Sequence, residues 1–358
     1  MNYYGQFNGG VPPQMYYQPE SEVTPDEKKQ IRRNYNVIGK VLLTLYILTN
    51  VICIVMYTVF CPEVAYNEEG MAVYSAKEML IGGCIPASVA ILVFFGYCAC
   101  SRYNPKELFR TDNVSKGQVF RYVLIVLGMQ HISMICTIVI SNVLYNNGLE
   151  VSGMNYEIEH TAAAYAADLL GSVILAPIGE ELIYRGVVLR CASKVSQRFG
   201  IFFSAFIFGI MHGNPYQLVL GFLIGIPMAV ITIKSGSLVP SIICHVCNNI
   251  IASIPMVIGY FNEDMTLAVD LIMLPIFLIL GLVMFVAEVS AGRMKLPEYT
   301  LFHKKRTLPI LITSWSMIVI MVFYVLELVT SVGPIAETPE VPEIVGESVR
   351  LFIERILI

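Results

Sequence analysis

Long apolar runs make up most of this chain and restrict its fold more than any other feature does. A helix needs roughly 20 apolar residues to cross a hydrocarbon core of about 30 Å. Nine runs come close to that length, at residues 36–60, 80–100, 119–145, 163–191, 199–213, 216–233, 239–260, 265–290 and 308–330. Backbone polar groups in lipid must bond to one another, which favours helices for all nine. The sequence therefore predicts an all-α, polytopic membrane helix bundle of about nine transmembrane helices.

Composition supports a membrane protein and disfavours several other classes. Hydrophobic residues form 56% of the chain and charged residues only 14%, against about 25% charged in soluble domains. The mean hydropathy is +0.67. The net charge of −4 offers no basic surface for nucleic acid. The nine cysteines lie mostly in apolar runs without the spacing of a disulfide framework, so we interpret them as packing residues. We expect the lipid bilayer, and no nucleic acid, among the partners.

The distribution of basic residues predicts the orientation in the membrane. With the N-terminus in the cytoplasm, nearly all of the 23 Lys and Arg residues fall on the inner side. The exceptions are Lys77, Arg350 and Arg355 outside and Arg185 within a helix. The positive-inside rule favours this orientation, and an odd number of spans then places the C-terminus outside. The Tyr/Gln/Pro-rich N-terminal tail and the lack of eukaryotic targeting signals lead us to expect a multi-pass protein of a bacterial plasma membrane.

The chain divides into three parts by composition. Residues 1–34 are rich in Tyr, Gln, Pro and Gly and predict a disordered cytoplasmic tail. Residues 35–330 are the predicted transmembrane bundle, and they show no internal repeat of the kind common in transporters. Residues 331–358 begin as a polar Pro/Glu linker. They continue either as an amphipathic helix or as a loosely ordered tail, since apolar residues recur at helical spacing at Val345, Val349, Phe352, Ile356 and Leu357.

Three charged residues lie together in the fourth run, within Ala-Pro-Ile-Gly-Glu-Glu-Leu-Ile-Tyr-Arg-Gly at 176–186. Charged groups at bilayer depth are costly and usually functional. Positions four apart share a helix face, which predicts an ion pair between Glu181 and Arg185. Glu180 then points elsewhere, with Tyr184 one turn further on, and is left as the reactive carboxylate. The alternative is an ion-pair cluster that only fixes helix packing.

His212 and His245 also lie in apolar runs. His212 follows Phe208 by one turn and His245 precedes Asn249 by one turn, so each pair shares a helix face. A single histidine in such a helix is usually a hydrogen-bonded packing residue. Two of them beside a buried glutamate fit the activation of water better, because Glu and His can take a proton while His or Asn donates to an oxyanion.

These motifs resemble those of a known family. Glu-Glu-x-x-x-Arg at 180–185, Phe-x-x-x-His at 208–212 and His-x-x-x-Asn at 245–249 follow one another on successive predicted helices. In this order they are similar to the motifs of the CPBP family, which comprises CAAX prenyl endopeptidases of the Ras-converting type, bacterial Abi proteins and bacteriocin-processing or immunity proteins. The resemblance covers about residues 163–255. It implies an intramembrane endopeptidase with an eight-helix-like catalytic core.

The resemblance also implies a role for each motif residue. Glu180 and His212 would activate a water molecule, and His245 and Asn249 would stabilise the oxyanion. The remaining motif residues and their neighbour look like a supporting set, namely Glu181, Arg185, Phe208 and Tyr184. The implied reaction is hydrolysis of a peptide bond in a peptide or protein with a hydrophobic or membrane-anchored segment.

The residues leave open whether a metal takes part. Glu180, His212 and His245 could hold zinc with a water in an open position. A metal-free mechanism, in which glutamate and histidine activate the water, fits the same residues equally well. The chain lacks His-Glu-x-x-His, and Cys244 and Cys247 lack enough neighbouring ligands for a zinc site of their own.

Two other classes of function fit the sequence. The chain could be a non-catalytic bacteriocin-immunity or scaffold membrane protein that keeps the family fold. It could also be a proton-coupled transporter with a relay of buried carboxylates and histidines, although the missing repeat disfavours that class. Four further acidic residues lie toward the ends of apolar runs and are interpreted as non-catalytic, namely Asp168, Asp270, Glu288 and Glu327.

Overall fold

The computed structural model describes residues 25–68, 70–151, 156–295, 308–311 and 313–335. These residues form nine long helices, with short helical segments at Pro105–Phe109 and Leu308–Leu311. The long helices, numbered α1 to α9, are Pro25–Phe60, Ala76–Ser101, Lys116–Asn146, Ala162–Ser193, Gln197–Ile210, Pro215–Ser235, Val239–Phe261, Met265–Ser290 and Trp315–Thr330.

Seven of these helices, α1 to α4 and α6 to α8, are long and apolar enough to cross a membrane, whereas α5 and α9 are shorter. The predicted all-α polytopic bundle is therefore confirmed. The α5 helix packs against α6 as a hairpin, α3 packs against α6 and α8, and α2 packs against α4. The second half of α4 is enclosed by these neighbours, since Tyr184 and Arg185 are almost fully buried.

Short strands connect the ends of the helices. They are β1 Ala65–Tyr66, β2 Ala72–Tyr74, β3 Leu149–Val151, β4 Tyr156–Ile158 and β5 Val332–Pro334. The β2 strand pairs antiparallel with β1 and parallel with β4, and β3 pairs antiparallel with β5. These pairings place the ends of α1, α3 and α9 and the starts of α2 and α4 on one side of the bundle.

The first helix begins earlier than predicted. It starts at Pro25, so residues 25–34, predicted as part of a disordered tail, are helical. Proline suits the first helical position because its missing N–H would have no partner there. Asp26 and Glu27 in the first turn also interact favourably with the positive end of the helix dipole. Residues 1–24 of the predicted tail lie outside the described residues.

The ninth predicted run, 308–330, is not one helix. A single turn at Leu308–Leu311 precedes α9, and Ser314 before α9 has an extended backbone. The hydroxyl of Ser314 donates to the carbonyl of Ile310 at 3.3 Å, a local bond that competes with helix continuation. At 16 residues, α9 is too short to cross a membrane alone. The predicted C-terminal amphipathic helix lies outside the described residues.

Pairs of glycines bring helix backbones close together. A Cβ added to Gly171 of α4 would lie 2.8 Å from the Cα of Gly83 in α2. A Cβ added to Gly128 of α3 would lie 2.7 Å from the Cα of Gly281 in α8, and a third crossing of this kind joins α5 to α6. Small residues at crossings are typical of membrane helices, where close backbone packing replaces the hydrophobic effect as the source of association.

The α9 helix runs parallel to α1. Ser316 at the start of α9 donates to the carbonyl of Asn36 at 3.2 Å, and Glu327 near its end accepts from the hydroxyl of Tyr46 at 2.7 Å. In an up-and-down bundle of nine helices, the first and the ninth run in the same direction. The structure therefore agrees with a chain that reverses its direction an even number of times between α1 and α9.

Candidate active site

The paired glutamates of α4 lie on a regular helical segment between two π-helical segments. The regular segment is Ala176–Ile183, and the π-helical segments are Leu170–Leu175 and Tyr184–Leu189. Such segments are rare and are frequent at functional sites. Gly179 packs tightly on α2, since an added Cβ would lie 3.0 Å from the carbonyl oxygen of Ala87. This contact holds the glutamates against a neighbouring helix.

Glu181 and Arg185 form an internal ion pair. Arg185 Nη1 lies 2.8 Å from Glu181 Oε1, and both side chains have 0% exposure. Arg185 Nη2 also donates to the carbonyl of Gly225 in α6 at 3.4 Å. The guanidinium carbon lies 4.5 Å from the centre of the Phe208 ring, within the range of a cation–π contact. The arrangement is the one that helical spacing predicts, with additional partners from α5 and α6.

His245 of α7 contacts both glutamates. Its Nδ1 lies 3.1 Å from Glu181 Oε1, and its Nε2 lies 3.6 Å from Glu180 Oε2. A carboxylate can only accept, so Nδ1 is the donor to Glu181, and Nε2 faces Glu180. The Glu180 side chain is 22% exposed, whereas Glu181 has no exposure. Of the two carboxylates, Glu180 is therefore the one that a water or substrate can reach.

His212 is separated from His245 by the ring of Phe208. Its Nδ1 lies 2.8 Å from the carbonyl oxygen of Phe208, one turn earlier in the chain. The Phe208 ring centre lies 5.2 Å from the His212 ring and 5.6 Å from the His245 ring, edge-on to both. Within the described residues, His212 makes no hydrogen bond or ion pair with Glu180. The structure thus gathers both histidines around one phenylalanine, but places only His245 directly against the glutamates.

Asn249 is anchored to the backbone of α4. Its Nδ2 donates to the carbonyl of Ser172 at 2.8 Å. That carbonyl is free because the N–H of Ala176 bonds to Gly171 in the π-helical register and the next residue, Pro177, has no N–H. Asn249 therefore satisfies an acceptor that the helix itself cannot satisfy, and α7 is tied to α4 beside the glutamates.

Two residues near the site were missed by the sequence reasoning. Asn248 is 2% exposed and donates from Nδ2 to Asn249 Oδ1 at 3.2 Å. Its spacing of three residues from His245 was a usable signal, since such positions share a helix face. Tyr324 of α9 is 3% exposed and lies near Tyr184 of α4. No signal in the sequence connects Tyr324 to α4, because only the packing of α9 brings the two together.

The arrangement does not gather a ready set of metal ligands. Among the described residues, no group of three or more His, Cys, Asp or Glu side chains lies close enough to hold a metal ion. Glu180 and His245 approach each other, but His212 lies beyond Phe208. The side chains as placed therefore do not fit a zinc site with three protein ligands.

An apolar cleft of about 390 Å³ runs between the first half of α4 and the second half of α7. The Ser172–Asn249 bond joins the same two helices beside this cleft. Only one hydroxyl lines the cleft, so its surface is almost entirely aliphatic. The lining residues are Leu169, Leu170, Val173, Ile174, Ile250, Ser253, Ile254, Val257 and Ile258.

Comparison with known proteins supports the family that the motifs indicate. Residues 162–251 match the family model described as type II CAAX prenyl endopeptidase Rce1-like. Comparison with curated proteins and with solved structures gave no match. The matched segment extends from the start of α4 into α7 and includes all three motifs. Over residues 162–251 the chain is therefore similar to the Rce1-like type II CAAX prenyl endopeptidases.

Proposed function

We propose that this protein is an intramembrane endopeptidase that hydrolyses a peptide bond in a hydrophobic or membrane-anchored substrate. The observation that carries the proposal is the contact of His245 with two glutamates of which only Glu180 is exposed. One carboxylate is neutralised by Arg185 and holds the histidine, and the other is free to react. A structural ion pair alone would not need the second carboxylate.

Glu180 is the general base in this proposal. It takes a proton from a water whose oxygen attacks the carbonyl carbon of the scissile peptide bond. His212 can assist, because its Nδ1–H is used by the Phe208 carbonyl and its Nε2 lone pair remains for the same water. Glu180 then passes the proton to the departing nitrogen as the C–N bond breaks, which leaves a carboxylic acid and an amine.

His245 and Asn249 stabilise the negative charge that develops on the carbonyl oxygen. When both ring nitrogens of His245 carry protons, Nδ1–H donates to Glu181 and Nε2–H can donate to the oxyanion. Asn249 has two N–H groups, and only one of them is used by Ser172. Glu181 and Arg185 act as positioning residues, because they touch His245 and Phe208 rather than the reacting atoms.

The test is cleavage by the purified protein in detergent or liposomes. The probes are a farnesylated peptide with a CAAX C-terminus and a library of hydrophobic peptides. Glu107 is an exposed residue of the Pro105–Phe109 segment and serves as the control. We expect the wild type and Glu107→Gln to cleave, and Glu180→Gln to fold normally without cleaving. Equal cleavage by Glu180→Gln would refute the role of Glu180. No cleavage of any probe by the wild type would favour the non-catalytic alternative.

A chelator experiment addresses the metal separately. Activity that is lost with a chelator and restored by zinc, at about one metal per chain, would require a ligand arrangement different from the one described. Full activity in metal-free protein is the result expected for the Glu–His mechanism.

A further inference from the structure

The carboxamide of Asn248 is an unusual feature of the core of the bundle. Asn248 is 2% exposed and continues the buried face of α7 that includes Ser241, Cys244 and His245. Its Oδ1 is buried and has no hydrogen-bond partner within the described residues. Buried polar atoms in native proteins are almost always bonded, and the exceptions require an explanation.

The hydrogen-bond network determines which carboxamide atom of Asn248 has no partner. The carbonyl of Ser172 can only accept, so the Asn249 atom 2.8 Å away must be its nitrogen. The other Asn249 atom is then oxygen, and the Asn248 atom 3.2 Å from it must be nitrogen. The remaining Asn248 atom is therefore an oxygen. This order does not depend on an arbitrary choice of amide orientation, because a backbone carbonyl fixes it.

The same network immobilises Asn249 at both ends of its carboxamide. Its Oδ1 accepts from Asn248, and one of its two N–H groups donates to Ser172. One N–H remains in a fixed direction. A preorganised donor of this kind stabilises developing charge without reorganising during the reaction.

We propose that Asn248 is a positioning residue that orients the Asn249 carboxamide so that its remaining N–H faces the reacting carbonyl oxygen. This inference rests on the proposed peptidase function. Asn248 donates one bond to hold Asn249, and its own oxygen stays buried without a donor. A side chain kept only for stability would instead be apolar, because an unbonded buried acceptor destabilises the folded protein.

The experiment compares the melting temperature and the turnover of Asn248 variants. Turnover should fall without a matching fall in the melting temperature. Asn248→Leu, of similar size, should leave the melting temperature nearly unchanged, because loss of the unbonded acceptor offsets loss of the hydrogen bond to Asn249. It should lower kcat by roughly 10- to 100-fold with little change in KM, since Asn249 loses its fixed orientation. The control is Asn142→Leu on α3, whose carboxamide, among the described residues, donates only to its own helix at Ile138. This control should keep the wild-type kcat.

A matched pair keeps the test valid should Asn248→Leu misfold. Asn248→Ser retains a hydroxyl that can donate to Asn249, whereas Asn248→Ala has almost the same size and no donor. We expect the serine variant to keep a higher kcat than the alanine variant at equal melting temperature. Equal kcat in this pair, a wild-type kcat in a folded Asn248→Leu, or a loss of stability that parallels the loss of activity would overturn the positioning role. Those results leave the proposed function standing, whereas a wild type that cleaves no probe removes both.

Discussion

Replacing Glu181 by Gln should destabilise the protein, and a second change at Arg185 should reverse part of the loss. Both side chains have 0% exposure, so solvent does not screen their interaction. Breaking a buried ion pair by removing one partner costs about 3 to 5 kcal/mol, because the other charge is left uncompensated. Gln keeps an oxygen that can accept from Arg185 and His245, so we expect the lower end of that range.

The rescue follows from the surroundings of Arg185. Its stem packs in the core, and its head contacts Glu181, the Gly225 carbonyl and the Phe208 ring. Methionine fills much of this volume without a charge, so Glu181→Gln with Arg185→Met should be more stable than Glu181→Gln alone. Thermal unfolding in detergent ranks the melting temperatures of the wild type, Glu181→Gln and the double variant. Glu107→Gln serves as the exposed control.

Glu180→Gln provides the contrast. Glu180 is partly exposed and pairs with His245 at 3.6 Å, so its removal should cost no more than about 1 kcal/mol. Glu180→Gln should therefore lose turnover but keep its stability, whereas Glu181→Gln should lose stability. Unaltered melting of Glu181→Gln, or no recovery in the double variant, would show that the pair does not hold the core in this way.

Four further predictions follow from the packing and the topology. Gly128→Leu should prevent folding or strongly reduce yield, because an added Cβ already lies 2.7 Å from the backbone of α8; a normal yield of folded protein would contradict this crossing. Glu288→Ala should cost about 1 to 3 kcal/mol in thermal unfolding, because the buried carboxylate binds Arg121 at 2.7 Å and Arg293 at 2.8 Å. Pro177→Ala supplies an N–H that competes with Asn249 for the Ser172 carbonyl, so probe cleavage should fall while the melting temperature is kept; wild-type cleavage by this variant would contradict the anchoring role of that carbonyl. A reporter that is active only outside the cytoplasm should be active at the C-terminus; an inactive fusion would change the number of crossings.

The flanking helices show why contacts distant in sequence escape prediction. Tyr46 of α1 and Glu327 of α9 are separated by 281 positions, yet their side chains hydrogen bond at 2.7 Å. The sequence alone shows Glu327 only as an acidic residue near a helix end. Only the parallel packing of α1 and α9 shows that its carboxylate has a specific partner.

The sequence by itself determined the membrane bundle, the Glu181–Arg185 pair and the three motifs. These depend on local regularities, namely the length of apolar runs and the four-residue spacing of a helix face. The boundaries of α1 and α9 were predicted less well, because a charged first turn can extend a helix beyond its apolar run and a serine can interrupt one within it.

Only the tertiary structure decided which polar groups meet at the site. His245 reaches Glu181 across 64 positions, and Phe208 rather than a hydrogen bond connects the two histidines. The Ser172 carbonyl became an anchor for Asn249 because α4 changes to a π-helical register before Pro177. The pattern of side chains in a sequence does not show which backbone carbonyl lacks a donor. This contact is therefore visible only once α4 and α7 are packed together.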